Sequence, residues 1–377
     1  MNFDLDDTQQ EIRSLASDVF GRLAVVSRLE QVDATPDRFD RELWAELART
    51  GLLGVAVPES HDGLGLGLVE LSLVCEQLGR AVAPIPYVAT TCAGLALGAH
   101  GDDAQRREWL PRIAAGDAVI AIAPAAAVVD VRTDGGRLSG EVVGVPWAHV
   151  ADRVLVPVDG RLWLLDPAAD GVTAARGETT AREVALDLLL DGAVAEPVGA
   201  EVSADWLSLR WLTTWAAVQA GVTDAALRLT ADYTSGREQF GKPLSTFQGV
   251  ALKAADAYVD ARVIAAAALQ AAWALDSGID AVPAVLAAAW WAAEGGQHCV
   301  HITQHLHGGM GADVTYPVHR YFLWGTQIEL LVGGGSSLLA SLGDALADRP
   351  DAGDALVLAV RCERSRAREG ARRSGSS

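Results

Sequence analysis

The order of hydrophobic patterns along this 377-residue chain constrains its fold more than any other feature. Up to about residue 115, apolar side chains recur at the three-to-four spacing of helices, and this spacing returns after Asp205. In between, short Val- and Leu-rich runs alternate with Gly, Asp and Pro, which is typical of antiparallel strands. We therefore predict a mainly α protein with one β domain. It has a helical domain at 1–115, a β domain at 116–200 and a four-helix bundle at 201–348.

Capping and turn residues predict where individual elements begin and end. Asp7 is placed to cap a first helix, and a second helix, Arg41–Thr50, is closed by Gly51. Strands are predicted at Ala118–Ile122, Val128–Arg132, Arg153–Val158, Leu162–Leu165 and Val184–Leu190. Bundle helices are predicted at Leu207–Ser235, Thr246–Leu275, Ala281–His307 and about Gln327–Ala347. The Arg-rich segment 349–377 is predicted to be a disordered, solvated tail.

Charge and cysteine content argue against several classes of function. The chain has 49 acidic and 30 basic residues and a net charge of −19, whereas nucleic acids and anionic membranes require a basic surface. The four cysteines are scattered, as in a cytosolic protein with reduced thiols. The acidic N-terminus does not resemble a signal peptide, and no apolar run reaches the ~18–20 residues of a membrane span. We predict a cytoplasmic protein.

The segment Tyr233–Gln248 contains the most informative motif. Taken alone, Arg237 just after a helix is typical of a surface charge. Beside it, Phe240 offers an aromatic face for an adenine and Gln248 an amide, while a guanidinium matches pyrophosphate oxygens bidentately. The motif resembles the Arg-x-x-Phe-Gly…Phe-Gln signature of the acyl-CoA dehydrogenase family. In that family these residues reach across a subunit interface to the ADP half of a neighbour's FAD.

A second motif, Gln304–Gly311 followed by Tyr316–Tyr321, resembles the Gln-x-x-Gly-Gly-x-Gly loop of the same family. There, glycines let the backbone approach the FAD diphosphate closely. The resemblance assigns this role to three glycines: Gly308, Gly309 and Gly311. His305 stands where the family usually has glutamine, which weakens that contact without removing it, since an imidazole can also hydrogen-bond a phosphate.

Three histidines in this segment also suggest a metal site. His301 and His305 share a helical face, and His307 follows them. However, no carboxylate base lies between the first two, and Gly308 ends the helix at once. We predict no metal.

The resemblance covers residues 3–347 and implies FAD shared across a subunit interface, with an acyl-CoA as substrate. An electron-transfer flavoprotein is a candidate electron acceptor. The Gly-rich turn Leu52–Gly67 supports the resemblance, because it is similar to the family's Gly-Leu-x-Gly-x-x-Val-Pro-Glu turn. The order of helical, β and bundle domains is also that of the family fold.

The glutamate that family members use to take the α-proton of the thioester is missing. By resemblance, its two known locations fall on Val332 and Trp211, and neither side chain accepts a proton. Among the residues of this chain we therefore predict no catalytic residue. Glu329, almost one helical turn from Val332, is the only substitute that we identify.

The β domain lacks the family's flavin-facing residues as well. Where homologues carry Thr-Glu-Pro-Gly-x-Gly-Ser-Asp, the window Ile122–Val129 keeps the proline but has no glycine and no polar side chain. The strand that lies against the isoalloxazine ring corresponds to Gly144–Trp147. Within it, Pro146 has no N–H to donate and Gly144 has no ring to pack on the flavin.

Groups that would face the chain's own flavin ring are lost, whereas those that reach a neighbour's dinucleotide remain. This asymmetry predicts the non-catalytic companion subunit of an α2β2 acyl-CoA dehydrogenase, which resembles actinobacterial enzymes for steroid or other bulky acyl-CoA substrates. Its partner would be a homologous catalytic subunit that bears the glutamate. Two alternatives stay open: a homotetrameric acyl-CoA dehydrogenase with an unusual base, and a flavin-free acyl-CoA-binding or scaffold protein.

Overall fold

A computed structural model describes residues 3–199 and 204–348. Within these ranges, six helices come first: α1 (Asp7–Leu23), α2 (Val26–Asp33), α3 (Arg41–Arg49), α4 (Leu68–Ala81), α5 (Tyr87–His100) and α6 (Asp103–Ala115). Seven strands follow: β1 (Ile120–Ile122), β2 (Val128–Asp134), β3 (Arg137–Pro146), β4 (Arg153–Val158), β5 (Arg161–Leu165), β6 (Val172–Glu178) and β7 (Val184–Pro197). The C-terminal part contains α7 (Ala204–Gly236), β8 (Glu238–Gln239), β9 (Lys242–Pro243), α8 (Gln248–Asp276), α9 (Val282–Trp290), α10 (Gly296–Leu306), α11 (Val318–Leu331) and α12 (Gly335–Ala347). The predicted fold class, helices, then a sheet, then a helical bundle, is confirmed.

The first helices show how local sequence fixes their ends. Asp6, rather than the predicted Asp7, caps α1, because its carboxylate accepts the Gln9 N–H at 2.9 Å and Gln9 Oε1 accepts the Asp6 N–H at 3.2 Å. The second predicted helix is confirmed to within one residue. It ends at Arg49, and Gly51 closes it with a φ of +79°.

The sheet has the strand order β1-β4-β5-β7-β3-β2, and β6 also pairs with β7. All pairs are antiparallel except β1 with β4, where the purely antiparallel prediction is wrong. Two strands are missing from the predicted set for physical reasons. The edge strand β6 is almost wholly exposed and has no apolar pattern, and β3 is interrupted by register shifts next to Gly140 and Gly144.

The bundle helices differ from the prediction at two breaks. The predicted helix Ala281–His307 contains a π turn at Trp291–Gly295 between α9 and α10. The predicted single helix Gln327–Ala347 is wrong, because Gly333 and Gly334 adopt φ values of +99° and +78° and bend α11 from α12 by 42°. A run of glycines allows this left-handed backbone at no steric cost.

A large apolar core joins the N-terminal helices to the bundle, with α4 packed along α7, and a smaller core lies within the sheet. In the described residues no single helix combines the length and apolarity of a membrane span. The bent pair of α11 and α12 meets that criterion only when both are counted together, by length and composition. Cys75, Cys92 and Cys299 are buried free thiols, while Cys362 and the predicted tail 349–377 lie outside the described residues.

Candidate functional site

The Arg237 motif forms the connection between α7 and α8. In the hairpin of β8 and β9, the turn residues Phe240 and Gly241 both have positive φ (+54° and +76°), as in a type I′ turn. The Phe240 ring is 93% exposed and meets the edge of Phe247, with 6.2 Å between ring centroids. Arg237 and Gln248 are exposed on either side of the hairpin. The three predicted dinucleotide contacts are therefore displayed to solvent on one short connection.

An aromatic cluster joins this connection to the glycine loop. Tyr233, on the last turn of α7, stacks on His307 with 4.5 Å between centroids. Tyr316 packs against both rings, at 6.2 Å and 5.3 Å. Burial lowers the pKa of His307, and one ring nitrogen lies 2.8 Å from the Thr303 carbonyl oxygen. From the sequence we predicted no contact among these rings. The available signal was that Tyr233 precedes Arg237 and that His307 precedes Gly308.

The glycines of the loop have different structural roles. Gly308 requires its lack of a side chain for its φ of +60°. At Gly311 an added Cβ would overlap the Gln304 carbonyl, whereas Gly309 has open space beside it. Gly308, Gly309 and His305 are exposed, and Gly311 is buried. The exposed part of this loop thus follows His307, whose ring stacks on Tyr233 four residues before Arg237.

Two of the three histidines, His301 and His307, contact aromatic side chains of the protein. The His301 ring packs edge-on against Phe322, with 4.9 Å between centroids. Across residues 3–199 and 204–348, no group of three or more His, Cys, Asp or Glu side chains is arranged to hold a metal ion.

The strand corresponding to the family's flavin-facing strand ends in an inward-pointing indole. β3 ends at Pro146, and Trp147 follows with a φ of +67°, an unusual conformation for a bulky residue. The Trp147 side chain is 4% exposed, and its Nε1 donates a hydrogen bond to Oε1 of Glu183 at 3.1 Å. Its ring packs edge-on against Phe39, with 6.0 Å between centroids.

Glu183 is a buried carboxyl that the sequence analysis missed. It lies immediately before β7, where its backbone N–H donates to Thr179 Oγ1 at 3.2 Å. Burial raises the pKa of Glu183 to about 7, although hydrogen bonds with Trp147 and Thr179 act in the opposite direction. No sequence pattern marked it, because one glutamate before a Val-rich strand is usually a solvated strand end.

A small closed cavity lies between the N-terminal helices, the sheet and α7. Its volume is about 20 Å³, and it is lined by Glu183 and by four indoles: Trp147, Trp211, Trp215 and Trp324. An adjoining space of about 30 Å³ lies between the segment 122–125 and Trp211. Three of the positions that the resemblance assigns to the flavin-facing strand and the base line these spaces: Pro146, Trp147 and Trp211.

Neither space accommodates a flavin ring or an acyl chain. Sites for ligands of that size have volumes of about 300–1,000 Å³. The volumes here, about 20 and 30 Å³, correspond to the space of one or two water molecules. The residues around this cavity do not fit an isoalloxazine ring in the conformation that the chain adopts.

The predicted base positions hold no carboxylate. Trp211 is 8% exposed and lines both spaces, and Val332 is buried in the large core. Glu329 accepts a hydrogen bond from Gln297 Nε2 at 2.6 Å and does not line either space. Burial, together with the nearby negative charge of Glu294, raises its pKa. Glu183 is the one carboxyl among the described residues that line the cavity.

Residues 6–117 match the family model "Acyl-CoA dehydrogenase, N-terminal domain", and residues 210–341 match "Acyl-CoA dehydrogenase, C-terminal domain". The chain therefore belongs to the acyl-CoA dehydrogenase family of FAD-dependent oxidoreductases, whose substrates are acyl-CoA thioesters.

Individual relatives are similar over most of their length. Acyl-CoA dehydrogenase FadE27 of Mycobacterium tuberculosis is 33% identical over 93% of this chain and the whole of that relative, and FadE28 is 37% identical over 82% and 94%. Among solved structures, a variant of the Tcur3481-Tcur3483 steroid ACAD is 42% identical with a TM-score of 0.86, covering 91% and 98% of the two chains. The ChsE4-ChsE5 complex from M. tuberculosis is 33% identical with a TM-score of 0.86, covering 93% and 100%.

Proposed function

We propose that this chain is the non-catalytic companion subunit of a heteromeric acyl-CoA dehydrogenase with α2β2 stoichiometry. It completes the FAD site of a homologous catalytic subunit that supplies the glutamate base. One observation carries the proposal: the predicted dinucleotide contacts, apart from Gly311, are exposed, whereas the cavity at the chain's own flavin position is lined with indoles.

The exposed residues of the Arg237 hairpin and the glycine loop suit a dinucleotide that is held on another chain. The Phe240 ring is 93% exposed, so its face is accessible to the adenine of a dinucleotide on another chain. In the complex Phe240 would pack on the adenine, Arg237 would bind the pyrophosphate and Gln248 would donate a hydrogen bond. The exposed backbone at Gly308 and Gly309, which follows the His307 ring stacked on Tyr233, would contact the diphosphate.

The tryptophan-lined cavity accounts for the proposed lack of catalytic activity in this chain. FAD held by the catalytic partner would supply the hydride acceptor for the reaction. In the chain itself, Trp147 and Trp211 occupy the space in which a ring and an acyl chain would need to lie. Glu183 is buried and accepts a hydrogen bond from Trp147, and the cavity beside it has no room for an acyl chain, so it is not placed to act as a base.

The relatives and the surface of α8 support a heteromeric assembly. Each of the two solved relatives described above is named for a pair of proteins. One of these two relatives is described as a steroid ACAD. We infer a steroid-type or other bulky acyl-CoA as the substrate of the assembly. Leu252, Tyr258 and Val259 on α8 are between 52% and 58% exposed and provide an apolar surface for the partner's bundle.

Flavin content tests the proposal. The chain expressed alone is expected to carry no FAD, and the complex co-purified with its partner to carry about one FAD per two chains. FAD is measured by absorbance after denaturation, together with the molar mass of the complex. Stoichiometric FAD in the lone chain, with reduction of an artificial electron acceptor, would instead support a homotetrameric enzyme. An FAD-free complex would support the scaffold alternative.

A further inference from the structure

An open groove lies on another face of α4, next to the α8 surface proposed for the partner, where the Arg262 guanidinium lies 5.0 Å from the centroid of the Tyr258 ring. It is formed by the segment before α1, by α1 itself and by α4, α7 and α8, and its volume is about 390 Å³. This volume lies within the range of about 300–1,000 Å³ found for small-molecule sites. It exceeds the volume of the tryptophan-lined cavity by more than an order of magnitude.

The wall of the groove is positively charged although the chain carries −19 overall. Four guanidinium groups line it: Arg13, Arg80, Arg228 and Arg262. Asp224 binds three of them, with N–O distances of 2.6, 2.7 and 3.2 Å, and Glu76 binds Arg80 at 2.6 Å. Two carboxylates therefore face four guanidinium groups. Asp4 and Asp18 line the adjoining, more open groove rather than this one.

A buried hydroxyl in the groove lacks a hydrogen-bond partner. Ser72 is 4% exposed and lines the groove from α4, and its Oγ makes no hydrogen bond in the structure. Because leaving a buried hydroxyl unpaired is unfavourable, a ligand oxygen at this point would be stabilised. This observation is independent of the arginines and points to a polar ligand atom deep in the groove.

Small apolar side chains leave room below the arginines. They come from α7 and α8: Ala217, Ala220, Ala265, Ala268 and Leu269. We propose that this groove binds a small amphiphile with one carboxylate and a slender apolar body, such as a medium-chain fatty acid. The carboxylate lies on the guanidinium groups and Ser72, and the apolar body lies along the alanines.

Calorimetric titration of the full-length chain with decanoate tests this site. Saturable binding of one decanoate per chain is expected, with no measurable binding of 1-decanol, which lacks the charge, or of acetate, which lacks the apolar body. Equal binding of 1-decanol would reduce the groove to an apolar patch. Equal binding of acetate would show that the groove binds anions without regard to an apolar body. An absence of decanoate binding would overturn the proposal.

Two exposed positions locate the site without disturbing the core. Arg13→Gln removes one guanidinium and Ala266→Trp fills the groove, and both residues are exposed. Each variant is expected to weaken decanoate binding about tenfold or more. Arg107→Gln on α6, an exposed arginine outside the groove, is the matched control and should leave affinity unchanged. Unchanged affinity in both groove variants, with unchanged unfolding midpoints, would contradict the assignment.

Discussion

Nε1 of Trp147 lies 3.1 Å from Oε1 of Glu183, and this hydrogen bond joins the residue after β3 to the residue before β7, beside the backbone hydrogen bond from the Trp147 N–H to the Val184 carbonyl. The Glu183 carboxyl that lines the cavity therefore accepts a hydrogen bond from Trp147, whose indole lines the same cavity. The pair therefore keeps the cavity closed and holds a carboxyl whose ionisation is opposed by burial.

The raised pKa of Glu183 predicts a specific pH dependence of stability. Below pH 4.5 the carboxyl is protonated in both the folded and the unfolded chain. Between 4.5 and about 7 the unfolded chain releases the proton first, so the free energy of unfolding falls as pH rises. The total fall is about 3 kcal/mol at 1.36 kcal/mol per pKa unit. Glu183→Gln, which keeps an acceptor for Trp147, should lack this fall.

Urea denaturation at several pH values measures the effect as the difference between wild type and Glu183→Gln. All other titrating groups are shared, so their contributions cancel in that difference. The two proteins should have similar stability at pH 4 and diverge until about pH 7, the variant becoming the more stable. A difference that does not change with pH would show that Glu183 stays ionised in the folded chain.

Substitutions of Trp147 should reverse the usual preference for alanine over glycine. Trp147→Ala removes a buried indole and should cost about 3–5 kcal/mol of unfolding free energy. Trp147→Gly leaves the same cavity but accepts the φ of +67° without strain, so it should be about 1 kcal/mol more stable than Trp147→Ala. Denaturant midpoints and slopes for the two variants check this order. Greater stability of the alanine variant would mean that the backbone at residue 147 relaxes out of the left-handed conformation.

Loss of Arg237 should lower FAD retention by the assembled complex. Arg237→Ala, made in this chain only, removes a charge-assisted contact worth about 1.5–3 kcal/mol, which corresponds to a tenfold or greater increase in the FAD dissociation constant. Arg107→Ala, another exposed arginine, is the control and should retain FAD like the wild type. The dissociation constant is measured by titrating FAD into the apo complex. Equal FAD affinity of the Arg237→Ala and Arg107→Ala complexes would show that Arg237 does not contribute to FAD binding.

The sequence predicted elements that obey local rules and missed features created by tertiary packing. The Arg237 hairpin was identified because its residues are contiguous and each has a recognisable chemistry. Glu183 and Trp147 are 36 positions apart, and nothing local indicates that they meet or that Trp147 turns inward. Likewise the stacking of Tyr233 on His307 depends on how α7 and α10 pack.

The break between α11 and α12 shows a different reason for an incorrect prediction. Apolar side chains continue at helical spacing on both sides of Gly333 and Gly334, so the pattern favoured one helix. Each glycine in a helix costs about 1 kcal/mol, which is too little to predict a break from the sequence. The left-handed φ values of Gly333 and Gly334 show that the helix ends there.

Glu329 gives the last test, because it separates the companion-subunit proposal from an enzyme with an unusual base. Its Oε2 accepts a hydrogen bond from Gln297 on α10, and it lies outside the lining of both small spaces. Glu329→Gln in the assembled complex should therefore keep kcat/KM within about twofold, whereas removing a general base costs about 10²–10⁴-fold. Glu108→Gln on α6 is an exposed control for the loss of one negative charge. A loss of about 100-fold or more in Glu329→Gln alone, with normal FAD content, would make Glu329 the base and this chain catalytic.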